Sequence, residues 1–232
     1  MYGDIQHIFF DLDRTLWDFD RNSAEALGEL FDELKLREAG IDDPQDFIQT
    51  YICKNDECWE LYRLNKIIKA DLRSLRFTMA LEHYGVKDKS LAMAMSDAYI
   101  ERSPVKTGLF PNTMETLEYL SKKYVLHIIT NGFEEVQYIK MEKSGIRNYF
   151  KHITTSEKAG CKKPDERIFQ YAMAVGNAST YNSLMIGDDE YIDVRGAENA
   201  GMKSILFQPD KDKTYAGDIQ VIHDLGQLLT LL

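Results

Sequence analysis

Hydrophobic and polar positions follow two different textures along this chain. From about residue 107 onward, short apolar runs alternate with amphipathic stretches. "YVLHIIT" (124–130) is rich in β-branched residues and predicts a strand. "EEVQYIKMEKSG" (134–145) sets Val136, Ile139 and Met141 among charges and predicts a helix, with its glycine as the stop. "FKHITTS" (150–156), "SLMIGD" (183–188) and "KSILFQ" (203–208) predict further strands. Between them, "DERIFQYAMAVG" (165–176) and "YIDVRGAENAG" have helical character. "IQVIHD" (219–224) predicts a last short strand before a terminal helix, and "HIFFD" near the start predicts a central one. Strands alternating with helices of this length pair in parallel through right-handed crossovers, which makes an open α/β sheet.

The stretch from about 18 to 104 differs. "SAEALGELFDELKLREAG" has apolar positions at 24, 27, 30, 31 and 34, a helical spacing. "FIQTYICKNDECWELYRLNK", "ADLRSLRFTMALEHYG" and "SLAMAMSDAYIERS" read the same way, and no comparable strand run interrupts them. The expectation is an α/β core formed by 1–17 and 105–232, with an all-helical insert at 18–104 closed off by "SPVKTGLFP". The methionines of "TMALEHYG" and "LAMAMSDAY" are expected in the insert's core.

Composition narrows the partners. With 44% hydrophobic and 28% charged residues in 232, the chain has ample material for a core. A net charge of −10 argues against a nucleic-acid polymer or an anionic membrane as the main partner. A small anionic substrate stays compatible, because one metal ion or lysine sets the sign locally. Three cysteines, no basic leader and no long apolar run predict a reduced, cytoplasmic protein; a monomer or homodimer is expected. The five histidines follow no ligand spacing and receive no role.

Ligands of open α/β sheets bind beyond the carboxyl ends of the strands. Here the first strand ends in Asp11 and Asp13, and the second in Thr130, Asn131 and Gly132. Lys162 and Lys163 lie ahead of the helix that follows the third. The fourth ends in Gly187, Asp188 and Asp189, with Asp193 close behind. Acids, a hydroxyl-amide-glycine turn and a lysine are what phosphoryl transfer requires. A carboxylate forms an acyl phosphate and a second carboxyl moves the proton. Mg²⁺ neutralises crowded charge, while a lysine, a hydroxyl and backbone N–H groups hold the phosphoryl oxygens.

"DLDRT" (11–15), "TNG" (130–132), Lys163 in "KKPD" and "GDDEYID" (187–193) stand in one order, each after a suitable strand. With them the chain resembles the haloacid dehalogenase superfamily of phosphohydrolases. The resemblance implies a Rossmann-like core and a type 1 helical cap. It implies Asp11 as nucleophile and Asp13 as general acid/base. Thr130, with the Asn131–Gly132 turn, and Lys163 would bind the phosphoryl group. Mg²⁺ would be held by Asp11, Asp188 and the main-chain carbonyl of Asp13, with Asp193 supporting its waters. Lys163 is favoured over Lys162 because it precedes "PD". Asp189 stands where many relatives carry a small hydroxyl residue, which leaves open whether it adds a ligand or points away.

Within that resemblance, dehalogenases and phosphonate hydrolases of the family lack an acid two residues after the nucleophile, so Asp13 implies ester hydrolysis or phosphomutase chemistry. "FFDLDRTLWDFDRNS" and "ITNGFEEVQ" also resemble the bacterial branch that acts on pyrimidine nucleoside 5′-monophosphates. The expected activity is therefore a 5′-nucleotidase. The alternatives are a flavin- or sugar-phosphate phosphatase, a sugar phosphomutase and, last, a non-catalytic binding module. Trp17 and Phe19 could stack on a base, with Arg21 and Asn22 reaching a sugar or base edge, or Trp17 and Phe19 could pack the junction between insert and core.

Overall fold

The computed structural model describes residues 2–215 and 218–232. Its backbone contacts divide the chain into two compact units, Met1–Phe19 with Thr107–Leu232, and Asp20–Lys106.

The first unit is built on six strands: β1 His7–Phe10, β2 Val125–Thr130, β3 Phe150–Thr155, β4 Ser183–Gly187, β5 Lys203–Phe207 and β6 Val221–Ile222. They form one sheet in the order β3-β2-β1-β4-β5-β6, with every neighbouring pair parallel. β1 lies between β2 and β4, where the direction of winding reverses, so a crevice opens beyond its carboxyl end. All four residues of β1 are buried, as a strand covered on both faces requires. The period of two sorts the side chains. Ile8, Phe10, Leu126, Ile128, Leu184 and Ile186 enter one core, while Phe9, Ile129 and Met185 enter the other. Beyond β1, Asp18 N–H donates to Gly108 O at 3.0 Å and Phe110 N–H donates to Leu16 O at 3.0 Å. The segments on either side of the insert are thus paired.

The second unit contains α1 (Phe19–Glu33, which starts on the last residue of the first unit), α2 (Pro44–Arg63), α3 (Lys69–His83) and α4 (Lys89–Arg102). Asp43 and Asp88 cap α2 and α4, each accepting backbone N–H bonds from the first turn. Leu27, Leu30, Phe31, Phe47, Tyr51, Phe77, Met95 and Tyr99 form its core. Met95 is buried, but Met93 is half exposed, so the methionines do not form a single inward stripe.

The remaining helices belong to the sheet: α5 Thr113–Leu120, α6 Glu134–Lys143, α7 Ser156–Ala159, α8 Glu166–Gly176, α9 Gly196–Asn199 and α10 Leu228–Leu231. "YIDVRGAENAG" is not one regular helix. A π turn over Glu190–Arg195, with Val194 N–H donating to Asp189 O, precedes α9. Among the described residues the three cysteines are free, and no helix is long and apolar enough to cross a membrane.

Candidate active site

The crevice beyond β1 collects most of the polar residues at the strand ends. Asp11 continues the ladder, its N–H donating to Ile186 O at 2.9 Å. The chain then turns sharply: Leu12 O accepts from Leu16 N–H and Trp17 N–H, and Arg14 N–H donates to Trp17 O. Leu12, Leu16 and Trp17 are fully buried, which anchors the loop that carries both acids. Arg14 takes a left-handed conformation (φ 61°), unfavourable for a residue with a Cβ, and its guanidinium lies 5.1 Å from the centre of the Phe19 ring. Trp17, being fully buried, is core packing rather than a surface for a base, and Asn22 is likewise buried.

Lys163 reaches into this crevice from the loop before α8. Its ammonium, 2% exposed, donates to Asp11 Oδ1 at 2.5 Å, Asp193 Oδ1 at 2.6 Å and Ile129 O at 2.9 Å, which uses all three of its hydrogens. Asn131 fixes its backbone: Oδ1 accepts from Lys163 N–H at 2.8 Å and Nδ2 donates to Lys163 O at 3.0 Å. The Asn131 side chain, expected at the phosphate, is thus committed to positioning the lysine.

Thr130, at the end of β2, is buried, and its Oγ1 accepts from Gln137 Nε2 at 2.7 Å and Gly132 N–H at 3.0 Å. A side chain at position 132 would put Cβ 2.1 Å from Gln137 Nε2, so glycine lets the α6 amide approach. At the end of β4 the same device recurs. A Cβ at Gly187 would lie 2.3 Å from Asp193 Oδ2. Asp189 N–H donates to that Asp193 oxygen, while the Asp189 carboxylate caps the π turn by accepting from Tyr191 N–H and Ile192 N–H at 2.8 Å. Asp189 therefore points toward its own helix start. Asp188 Oδ1 accepts from Thr15 Oγ1 at 3.2 Å.

Asp11, Asp188 and Asp193 each offer a carboxylate oxygen, and these atoms lie within 4.8 Å of one another. Burial pushes the Asp11 carboxyl up to about 7, Lys163 pulls against that, and Asp193 pushes it up again. Burial, then Asp193 and Asp11, also raise Asp188 well above the usual carboxylate range. Burial alone would lower Lys163, but Asp11 and Asp193 outweigh it and hold the ammonium charged. Two buried acids and the half-buried Asp188, once ionised, outnumber the one lysine and leave an excess of negative charge. The oxygen-only donor set fits a hard divalent cation. The expected support role of Asp193 falls to a side chain whose two oxygens already accept from Lys163 and Asp189 N–H.

The carboxylate of Asp13 is held from another direction. Lys140 Nζ donates to its Oδ1 at 2.6 Å, and Gln137 Nε2 to its Oδ2 at 2.8 Å. The Lys140 ammonium also lies 4.3 Å from the centre of the Trp17 ring. Gln137 closes the stretch "ITNGFEEVQ" but receives no role from the sequence, and Lys140 does not stand out at all, since Val136, Ile139 and Met141 suggest the inward face. In the structure Ile139 is exposed, and Phe133, Gln137, Lys140 and Met141 face inward. The spacing 133, 137, 140, 141 is itself helical and was the available signal.

The chain is similar to known proteins along nearly its whole length. The model of a family described as haloacid dehalogenase-like hydrolase matches residues 8–207. Pyrimidine 5′-nucleotidase PynA of Streptococcus pneumoniae is 30% identical over 229 residues, covering 97% of this chain and 94% of that protein. Pyrimidine 5′-nucleotidase YjjG of Escherichia coli is 31% identical, covering 96% of each. Among solved structures, YfnB of Bacillus subtilis bound to magnesium superposes with a TM-score of 0.86 at 25% identity, covering 98% of both chains.

Proposed function

The chain belongs to the haloacid dehalogenase-like hydrolase family, and on that premise we propose that it is a Mg²⁺-dependent phosphatase of pyrimidine nucleoside 5′-monophosphates, working through a phosphorylated Asp11. The observation that carries the chemistry is the buried Asp11 carboxylate, 2.5 Å from Lys163 and grouped with Asp188 and Asp193. Two full-length relatives named as pyrimidine 5′-nucleotidases support the substrate class.

In the first step an Asp11 oxygen attacks phosphorus and the bond to the ester oxygen breaks. That oxygen leaves with the electron pair and takes a proton from the Asp13 carboxyl. In the second step water attacks the acyl phosphate and gives its proton to the Asp13 carboxylate. Phosphate departs and Asp11 is restored as a carboxylate. Lys163 keeps Asp11 oriented, and the Thr130 hydroxyl holds a phosphoryl oxygen. Mg²⁺, held by Asp11, Asp188 and the main-chain carbonyl of Asp13, would neutralise the charge between phosphate and carboxylates.

The test is phosphate release with Mg²⁺ across nucleoside monophosphates, flavin mononucleotide and sugar phosphates, with EDTA as control. Preference for UMP, dUMP or dTMP is expected. Asp11→Asn should fall below about a thousandth of wild-type turnover. Preference for another ester would discard the substrate class and leave the chemistry, whereas substantial turnover by Asp11→Asn would remove the nucleophile.

A further inference from the structure

We infer that Gln137 and Lys140, three residues apart on α6, are positioning residues that hold the Asp13 carboxylate and the Thr130 hydroxyl in one fixed relative orientation for the reaction. This rests on the phosphatase reading above.

The Gln137 amide has two hydrogens, and both are used: one on Thr130 Oγ1 at 2.7 Å, the other on Asp13 Oδ2 at 2.8 Å. A single fully buried NH₂ group therefore sets the spacing between the proposed phosphoryl-binding hydroxyl and the proposed acid. Thr130 Oγ1 already accepts from Gln137 and from Gly132 N–H, so its own hydrogen is left to donate to a substrate oxygen. Lys140 secures the other oxygen of Asp13 at 2.6 Å. With each oxygen tied to a different side chain, the carboxylate plane cannot turn without breaking a bond.

Stability alone does not call for this arrangement. α6 exposes Ile139 and buries Lys140, although a buried ammonium is costly and an apolar side chain would fill the inner position at less expense. The cation is retained where it meets Asp13 and the face of Trp17.

The test compares kcat/KM on two esters in Mg²⁺: an alkyl phosphate (uridine 5′-monophosphate, or the ester preferred in the panel) and p-nitrophenyl phosphate. An alkoxide needs a proton from Asp13 as it leaves, and p-nitrophenolate does not. Lys140→Met is expected to lose about 30–100-fold on the alkyl ester and under about fivefold on the aryl ester, a partial loss of the roughly 10²–10⁴-fold that acid catalysis supplies, because Asp13 stays in place but loses its orientation. Lys140→Arg should restore most of the alkyl activity. Gln137→Glu keeps the shape but removes both donors, so it should lose activity on both esters, the alkyl one more. In an Asp13→Asn background, Lys140→Met should add little further loss. Equal losses on both esters, or no loss, would overturn the inference while wild-type turnover keeps the phosphatase reading. A wild-type chain inactive on every ester would overturn both. Should Lys140→Met fail to fold, the alkyl-to-aryl ratio of Gln137→Glu decides.

Discussion

One methyl group at position 187 would be enough to separate Asp193 from its partners. The space a Cβ needs is filled by the Asp193 carboxylate, and that carboxylate holds both Lys163 and the Asp189 N–H. Gly187→Ala is therefore expected to lower the unfolding free energy by about 1–3 kcal/mol, the usual cost of forcing atoms into a filled site. Urea unfolding measures this, and an unchanged midpoint would mean that Asp193 relocates freely. The residues legible in the sequence are those where a charge or hydroxyl ends an apolar run: Asp11, Asp13, Thr130, Asp188. Lys163 was legible through its place before proline and aspartate. The roles of Gln137 and Lys140 are hidden because Val136, Ile139 and Met141 suggest an apolar inner face, whereas the structure turns Ile139 outward and buries a cation beside Met141. The roles of Asn131 and Asp189 were hidden too, since the partners of an amide or a carboxylate are not visible in spacing.

Elements were easier to read than their details. Five apolar runs and the short "IQVIHD" segment became the six strands, because a strand buried on both faces has few polar residues to confuse it. The π turn at Glu190–Arg195 was not legible, since a single extra residue in a helical turn barely changes the hydrophobic period. The histidines follow no ligand spacing in the sequence, yet His7, His127 and His152 stack across β1, β2 and β3, with His127 between the other two at ring-centre distances of 5.4 and 5.5 Å. Burial, with the neighbouring His7, His152 and Lys151 adding to it, lowers His127 to about 3. An unfolded chain binds that proton near 6.5 and the folded one does not. Stability from neutral His127 is thus full above pH 6.5 and drains away as the pH falls toward 3. Asp11 and Asp188, raised in the folded state, act in the opposite sense, so the effect is read by difference. Between pH 7 and pH 5 the wild type should lose about 1–2 kcal/mol relative to His127→Gln. Parallel pH dependences in urea unfolding would show that the ring titrates freely.

At the scale of the molecule, the alternation of strands and helices was enough to establish a parallel α/β sheet, and the loss of that alternation marked the helical stretch that forms the second unit. A chain of net charge −10 that gathers three acids together, two of them buried, should respond to a divalent cation as a whole. At about a hundred times its dissociation constant Mg²⁺ would add roughly 2.7 kcal/mol, a rise of about 5–10 °C in the melting of the sheet unit. Asp188→Asn should abolish that rise and, without metal, melt no lower than wild type. An equal rise from NaCl at matched ionic strength would mean only general screening. The strand order also governs how the chain is made. β1, buried at all four of its residues, precedes both its neighbours, whose paired segments begin at Val125 and Ser183. During synthesis the uncharged "HIFF" segment emerges long before anything can cover it, a short β-prone window of the kind that invites aggregation. The strand leading into the proposed nucleophile is made well before both of its partners, and holdase chaperones would find a long-lived target there.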